Sequence, residues 1–323
     1  MNVLVTGCAG FIASKVTETL LSRGDTVVGL DNLNDAYDVR LKDWRINQLQ
    51  AQMNFTWSSI DVTDRSGLRD VFEQQGPFDA VAHLAARAGV RPSLDDPWIY
   101  YETNVLGTLG VLELCREFGT KKFLLASTSS VYGEGERPFR ENSSADRPVS
   151  PYAASKSAAE SLCYTYHKAH GIDTSVMRFF TVYGPAGRPD MAPFRFIKWI
   201  AEGQPLVLYG DGEQERDFTY VDDIAAGVVA ALEPVGFEVF NLGNDRPCTI
   251  NHMISIIEKL VGREAQVKRE PRHPADVQAT WADISKARSI LKWSPKTNFE
   301  QGLEKAVNWY MENRDWAKDI ASG

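Results

Sequence analysis

Short apolar runs alternate with longer segments of helical spacing through the first half of the chain. Val3–Thr6, Thr26–Leu30, Phe55–Ile60, Ala80–Leu84, Lys122–Ala126 and Thr174–Arg178 read as strands. Ile12–Ser22, Ser66–Gln74, Ile99–Phe118 and Tyr152–His170 repeat apolar residues at helical intervals. Strands alternating with helices predict a doubly wound parallel sheet covered on both faces, an α/β fold. After about Phe179 the alternation is lost, and Pro185, Pro189, Pro193 and Pro205 interrupt the pattern. Helical spacing returns at Ile250–Val261, Ile284–Leu291 and Phe299–Asn313, with short strands between, which predicts a smaller second α/β lobe. No low-complexity linker or internal repeat separates the two.

One strand pattern ends unusually. Phe123-Leu124-Leu125-Ala126 runs into Ser127-Thr128-Ser129-Ser130. Hydroxyls are costly to bury without partners, so four in succession at the end of an apolar strand need an explanation.

Composition narrows the function classes. The chain has 323 residues, 43% hydrophobic and 24% charged, with a net charge of −8. That balance lacks the basic face of a general nucleic-acid binder. Cys8, Cys115, Cys163 and Cys248 are scattered, without disulfide or zinc spacing, and read as reduced packing residues. No apolar run reaches the roughly 18 residues of a membrane span. A strand pattern from Asn2 leaves no room for a signal peptide, so a cytoplasmic location is expected, with no membrane partner and no metal.

The first strand opens into Thr6-Gly7-Cys8-Ala9-Gly10-Phe11-Ile12-Ala13, and a helix follows. Gly7 and Gly10 let the backbone turn tightly, and the helix start at Phe11 and Ile12 then meets a pyrophosphate. The next strand ends in Asp31-Asn32, at the spacing of a dinucleotide fingerprint. Asp31 would bind the adenosine ribose hydroxyls and repel a 2′-phosphate, favouring NAD over NADP. Asp61-Val62 is placed for an adenine contact, and Leu84-Ala85-Ala86 for the dinucleotide wall. His83 reads as a hydrogen-bonded strand-end histidine. Residues 1–180 are expected to form the NAD-binding domain, with 215–242 returning to it. The substrate lobe then comprises 181–214 and 243–323.

Ser150-Pro151-Tyr152 reads as a helix start, Ser150 as its cap and Pro151 at the first position. Tyr152 and Lys156, four apart, share a helix face. A tyrosine becomes a useful base near neutral pH when a neighbouring ammonium and an oxidised nicotinamide stabilise its phenolate.

These motifs, with Asn104 and Glu215-Arg216-Asp217-Phe218, make the chain resemble the extended short-chain dehydrogenase/reductase family over essentially its whole length. The resemblance implies catalytic roles for Thr128 at the reacting hydroxyl, Tyr152 as proton acceptor and Lys156 on the nicotinamide ribose. It also implies a homodimer through a four-helix bundle of the Ile99–Phe118 and Tyr152–His170 helices.

Asp31-Asn32-Leu33-Asn34-Asp35-Ala36-Tyr37-Asp38 and Arg178–Met191 are similar to the UDP-glucuronate 4-epimerase branch. Related 4,6-dehydratases carry an Asp-Glu pair where this chain has Ser129 and Ser130, and related decarboxylases a glutamate at Ser130. The resemblance therefore implies C4 epimerisation of a UDP-sugar, with Thr128, Ser129, Ser130 and Thr181 holding a sugar carboxylate. Arg216 matches a diphosphate-binding arginine, with Arg91, Arg188 and Arg195 as further contacts and Arg272 and Asp276 near the uridine. Two departures are Ala13 in place of a third glycine and His273 in place of an arginine. A UDP-glucose or UDP-N-acetylglucosamine 4-epimerase and a non-catalytic NAD sensor remain alternatives at this level.

Overall fold

The computed structural model describes residues 1–272 and 278–322. Its first half alternates β1 (Asn2–Thr6), α1 (Phe11–Ser22), β2 (Thr26–Asp31), α2 (Arg40–Gln50), β3 (Phe55–Ser59), α3 (Arg65–Gln75) and β4 (Ala80–His83). Two short turns, α4 (Pro92–Asp95) and α5 (Trp98–Tyr101), lead through a wide π-turn at Glu102–Gly107 into α6 (Thr108–Phe118). Then come β5 (Lys122–Thr128), α7 (Pro151–His170) and β6 (Asp173–Phe179).

Beyond Phe179 lie β7 (Thr181–Tyr183), α8 (Ala192–Glu202), β8 (Pro205–Tyr209), β9 (Glu215–Arg216), β10 (Phe218–Tyr220) and α9 (Val221–Ala230). The chain closes with β11 (Phe237–Leu242), β12 (Cys248–Thr249), α10 (Ile250–Val261), β13 (Gln266–Glu270), α11 (Ser285–Ile290), α12 (Phe299–Glu312) and α13 (Arg314–Ala317).

A seven-stranded parallel sheet runs in the order β11-β6-β5-β4-β1-β2-β3. Alternation along β1 builds both layers, because successive side chains leave a strand on opposite faces. Val3 and Val5 join Val16 and Leu20 of α1 and Ile224 and Val228 of α9. Leu4 joins Leu68 and Phe72 of α3, Leu112 of α6 and Cys163 of α7. The chain leaves the sheet after β6 and comes back as β11, with Phe237 opposite Thr174 and Leu242 opposite Phe179. β9 and β10 pair outside the sheet, with β12 and β7.

The smaller lobe packs α8, α10 and α12 around Phe196, Ile200, Ile257 and Leu303, beside the parallel pair β8–β13. Gly302 lets α12 approach β7: a Cβ there would lie 2.1 Å from the Tyr183 hydroxyl oxygen.

Four local features differ from the sequence expectation. Strand β5 runs through Thr128, so the first two hydroxyls belong to the strand, paired with Arg178 and Phe179. The Ile99–Phe118 segment is broken by the π-turn, which presents buried Asn104 to the Arg87 backbone and to Ser155 Oγ. Helix α2 forms although its buried positions include Lys42 and Arg45. Pro193, read as an interruption, stands in the first turn of α8, where its missing N–H is harmless.

Candidate active site

At the carboxyl ends of the strands lies a cavity of about 380 Å³. Its walls include Gly7, Gly10, Phe11, Ile12, Asp31, Asn32, Asp61, Val62, Leu84, Ala85 and Ala86 at one end. Thr128, Ser129, Ser130, Tyr152, Lys156, Thr181 and Arg188 line the other.

The glycine turn is built for close approach. Gly7 sits at φ +74°, and a Cβ there would come 2.8 Å from the Ala85 backbone. The Gly7 and Cys8 amides donate to Leu30 O at 2.6 and 3.0 Å, pinning the turn to β2. No side chain caps α1, so its first-turn amides are left for a ligand at the positive end of the helix dipole. Ala13 packs into the core at 3% exposure, which accommodates its methyl group.

Asp31 accepts hydrogen bonds from Ala9 N at 3.1 Å and Leu33 N at 2.8 Å, and Lys42 Nζ lies 3.7 Å away. Asn32 donates to Asp61 at 2.5 Å, joining the segments that follow β2 and β3. His83 sits between Thr6 Oγ1 (2.8 Å) and Thr108 Oγ1 (3.1 Å), and burial pulls its pKa down to about 3. It is a neutral structural histidine.

Ser150 caps α7 by accepting from Ala153 N at 3.2 Å, which fixes the helix start and with it the direction of Tyr152. Burial pushes the Tyr152 hydroxyl above its ordinary range, opposed by a hydrogen bond with Thr128 and the charge of Arg188. Arg188 thus acts on Tyr152 through its charge, a part the sequence did not point to. Lys156, 2% exposed, is itself drawn down to about 8 by burial, with Cys163 and Glu160 acting the other way.

The hydroxyl run divides. Ser127 Oγ donates to Glu160 at 2.5 Å. Thr128 Oγ1 accepts from Ser130 N at 3.1 Å and lies 3.2 Å from Ser130 Oγ. Thr128, Ser129 and Ser130 border the cavity beside Tyr152. Arg188 also lines the cavity, held by Asp190 through Nε at 3.0 Å and Nη2 at 2.5 Å.

The other arginines named from sequence lie beyond the cavity wall. The Arg91 guanidinium covers the Tyr209 ring at 4.6 Å, and that of Arg195 covers the Trp199 ring at 4.5 Å. Arg216 donates to Glu215 O at 2.7 Å and to Gln278 O at 3.4 Å, and Arg272 to Gln278 Oε1 at 2.6 Å. Asp276 and His273 lie outside the described residues. Asn34, Lys42 and Asp190 also line the cavity and carried no sequence signal of their own.

The residues fit a bound NAD: an uncapped helix N-terminus behind a glycine turn, a carboxylate at a strand end, and a buried ammonium facing the cavity. No helix among the described residues is long and apolar enough to cross a membrane. All four cysteines are free, and burial raises the Cys8, Cys115 and Cys163 thiols far above their ordinary range.

A doubly wound sheet with this turn, this carboxylate and a Tyr-x-x-x-Lys pair around one cavity defines a dinucleotide-binding enzyme of the short-chain dehydrogenase type. The chain belongs to the NAD-dependent epimerase/dehydratase family described as GDP-mannose 4,6 dehydratase, which matches residues 4–306. It is 54% identical to a UDP-glucuronate 4-epimerase of Thermodesulfobacterium geofontis over 318 residues, 98% of each chain. Among solved structures it resembles UDP-glucuronic acid 4-epimerase from Bacillus cereus in complex with UDP-glucuronic acid and NAD. That match has a TM-score of 0.91 and 39% identity, covering 97% of this chain and 100% of the other. It is also similar to UDP-glucose 4-epimerase of Thermotoga maritima, with a TM-score of 0.90 and 31% identity over 97% and 100% of the chains.

Proposed function

We propose that the chain is an NAD-dependent isomerase that inverts C4 of a UDP-sugar, interconverting UDP-glucuronate and UDP-galacturonate. The observation that carries this reading is the set of neutral hydroxyls, Thr128, Ser129 and Ser130, lining one cavity with Tyr152 and Arg188. Bound NAD supplies a hydride acceptor that becomes a hydride donor, so no external redox partner is needed.

Gly7, Gly10, Phe11 and Ile12 would hold its diphosphate, Asp31 and Asn32 its adenosine ribose, and Asp61 and Val62 its adenine. Tyr152 takes the proton from the 4-hydroxyl, which Thr128 orients, and returns it after the 4-keto sugar has presented its other face. Lys156 positions the nicotinamide ribose and supports the phenolate. The 4-keto glucuronate is a β-keto acid, prone to lose carbon dioxide. Ser129, Ser130, Thr181 and Arg188 would hold its carboxylate and limit that loss. Arg91, Arg195, Arg216 and Arg272 are assigned to the UDP moiety.

A homodimer through α6 and α7 belongs to the same proposal, supported by exposed Trp98, Tyr101, Leu106 and Tyr164 along these helices and the turns before them. So does a cytoplasmic location, supported by the free cysteines.

The test is a panel of UDP-glucuronate, UDP-glucose and UDP-N-acetylglucosamine, with products resolved chromatographically. Interconversion of UDP-glucuronate and UDP-galacturonate without build-up of reduced cofactor is expected, and Tyr152→Phe should abolish it while retaining NAD. Turnover of the neutral sugars alone would overturn the substrate assignment.

A further inference from the structure

Arg45 has no part in the roles assigned so far, yet it is 3% exposed and joins three separate segments. Its Nη1 donates to Ala9 O in the glycine turn at 2.9 Å and to the Tyr37 hydroxyl at 2.8 Å. Its Nη2 donates to Ala186 O at 2.6 Å. The guanidinium lies 5.9 Å from the Phe11 ring centroid and 5.6 Å from that of Tyr37. All three acceptors are neutral, and Nε is buried without a partner. A buried cation held only by neutral groups is costly, so its place needs a reason beyond packing.

The third acceptor gives that reason. Ala186 is a non-glycine residue at φ +50° and 4% exposed, a conformation that L-residues adopt only when the surroundings enforce it. Two residues on, Arg188 reaches the cavity. Gly187 between them packs its backbone near the Phe11 ring: a Cβ there would lie 3.8 Å from it. Arg45 therefore ties the strained turn that aims Arg188 to the turn that opens α1.

We propose that Arg45 is a positioning residue that locks the Arg188 arm to the cofactor turn and thereby sets how firmly the sugar carboxylate is held. This rests on the functional reading above. In the 4-keto intermediate, a carboxylate free to rotate out of the ketone plane loses carbon dioxide. The C5–C6 bond breaks, its electron pair passes into the C4–C5 enolate, and C5 then takes a proton from solvent. The product is a UDP-4-keto-pentose, and the hydride removed from C4 stays on the cofactor. An Arg188 arm released from Arg45 should let this leak compete with epimerisation.

The test compares wild type with Arg45→Met, Arg45→Lys and Arg45→Met/Ala186→Gly. Each is assayed for NAD retained on purification, for reduced cofactor accumulating during turnover, and for the ratio of 4-keto-pentose to UDP-galacturonate. Arg45→Met is expected to raise that ratio about tenfold, the scale of losing one hydrogen bond to a charged group, and to retain less NAD. Arg45→Lys keeps the charge but cannot span both carbonyls, so it should leak as well; it is the variant read if the methionine protein fails to fold. Glycine at 186 removes the strain that Arg45 restrains and should return part of the ratio towards wild type, a rescue no general loss of stability would produce. Folded Arg45 variants with wild-type product ratio and NAD content would overturn the proposal. A wild-type protein inert towards UDP-glucuronate would instead sink the functional reading, and the coupling would then be judged on NAD retention alone.

Discussion

Arg178 grips Glu160 in a buried two-point ion pair, with hydrogen bonds of 3.0 Å through Nε and 2.7 Å through Nη2. Glu160 stands one turn beyond Lys156 on α7 and also accepts from Ser127 Oγ. The strand that carries Thr128 and the helix that carries Tyr152 and Lys156 thus share one carboxylate beneath the cavity.

Glu160 acts to keep Lys156 protonated against burial. If the charged amine is the working form, kcat/KM should fall as pH rises through about 8. Glu160→Gln should move that limb to lower pH, because Cys163 alone then opposes burial at Lys156. The same substitution leaves Arg178 buried without its partner, at a stability loss of about 3–5 kcal/mol. A pH–rate profile beside a urea titration reads both, and an unmoved limb would contradict the role given to Glu160.

Placing acids where the serines stand should reverse the substrate preference. Ser129→Asp/Ser130→Glu sets like charges against the sugar carboxylate, and KM for UDP-glucuronate is expected to rise about tenfold or more, each factor of ten being about 1.4 kcal/mol. UDP-glucose has no carboxylate and should be affected far less. Parallel steady-state kinetics on the two sugars provide the comparison.

Asp217 is fully buried and accepts from the Asn244, Asp245 and Ala282 amides, so one carboxylate holds two later segments of the chain. Burial raises its pKa to about 6, the hydrogen bonds opposing. Because the folded pKa lies above the unfolded one, the folded state binds the extra proton between the ordinary value of 3.8 and about 6. This group's contribution therefore weakens as pH rises through that window and is level above it. Asp217→Ala should flatten this component of a stability–pH curve while leaving the three amides without acceptors. Thermal melts from pH 4 to 7 of both proteins would show it.

Gly302→Ala puts a methyl group against the Tyr183 hydroxyl, which donates to Phe299 O at 3.2 Å. Loss of about 1–3 kcal/mol is expected from overpacking, measured by urea unfolding. A neutral result would mean that α12 can slide away from β7.

The sheet was readable because its strands are apolar runs with helices at the right spacing, and every strand through β6 lies within two residues of its expected bounds. That the glycine turn, the hydroxyl run and the Tyr152 and Lys156 pair line one cavity was readable because motif chemistry is local: a turn, a strand end, one face of a helix. Helix α2 was not, since Lys42 and Arg45 take buried places where an apolar stripe would be sought. Helix α9 hid for the opposite reason, being apolar almost throughout, with Gly227 making room for the Trp293 ring. Arg45 meets partners 36 residues before it and 141 after it, a relation no local pattern encodes. The arginines beyond the cavity wall carried only family resemblance, and the wall itself is drawn by the meeting of two lobes.

The return of β11 to the edge of β6 means that the second lobe is inserted into the sheet domain as well as appended to it. A protein cut at residue 180 would end with β6 as an open, apolar margin, its outward amides and carbonyls ready to recruit another chain. During synthesis the sheet cannot be sealed until residue 242 has emerged, by which time Arg188 and Arg216 are already made. The sheet domain and the smaller lobe therefore cannot be exchanged between relatives as beads on a string; a graft has to carry both crossings of the sheet with it.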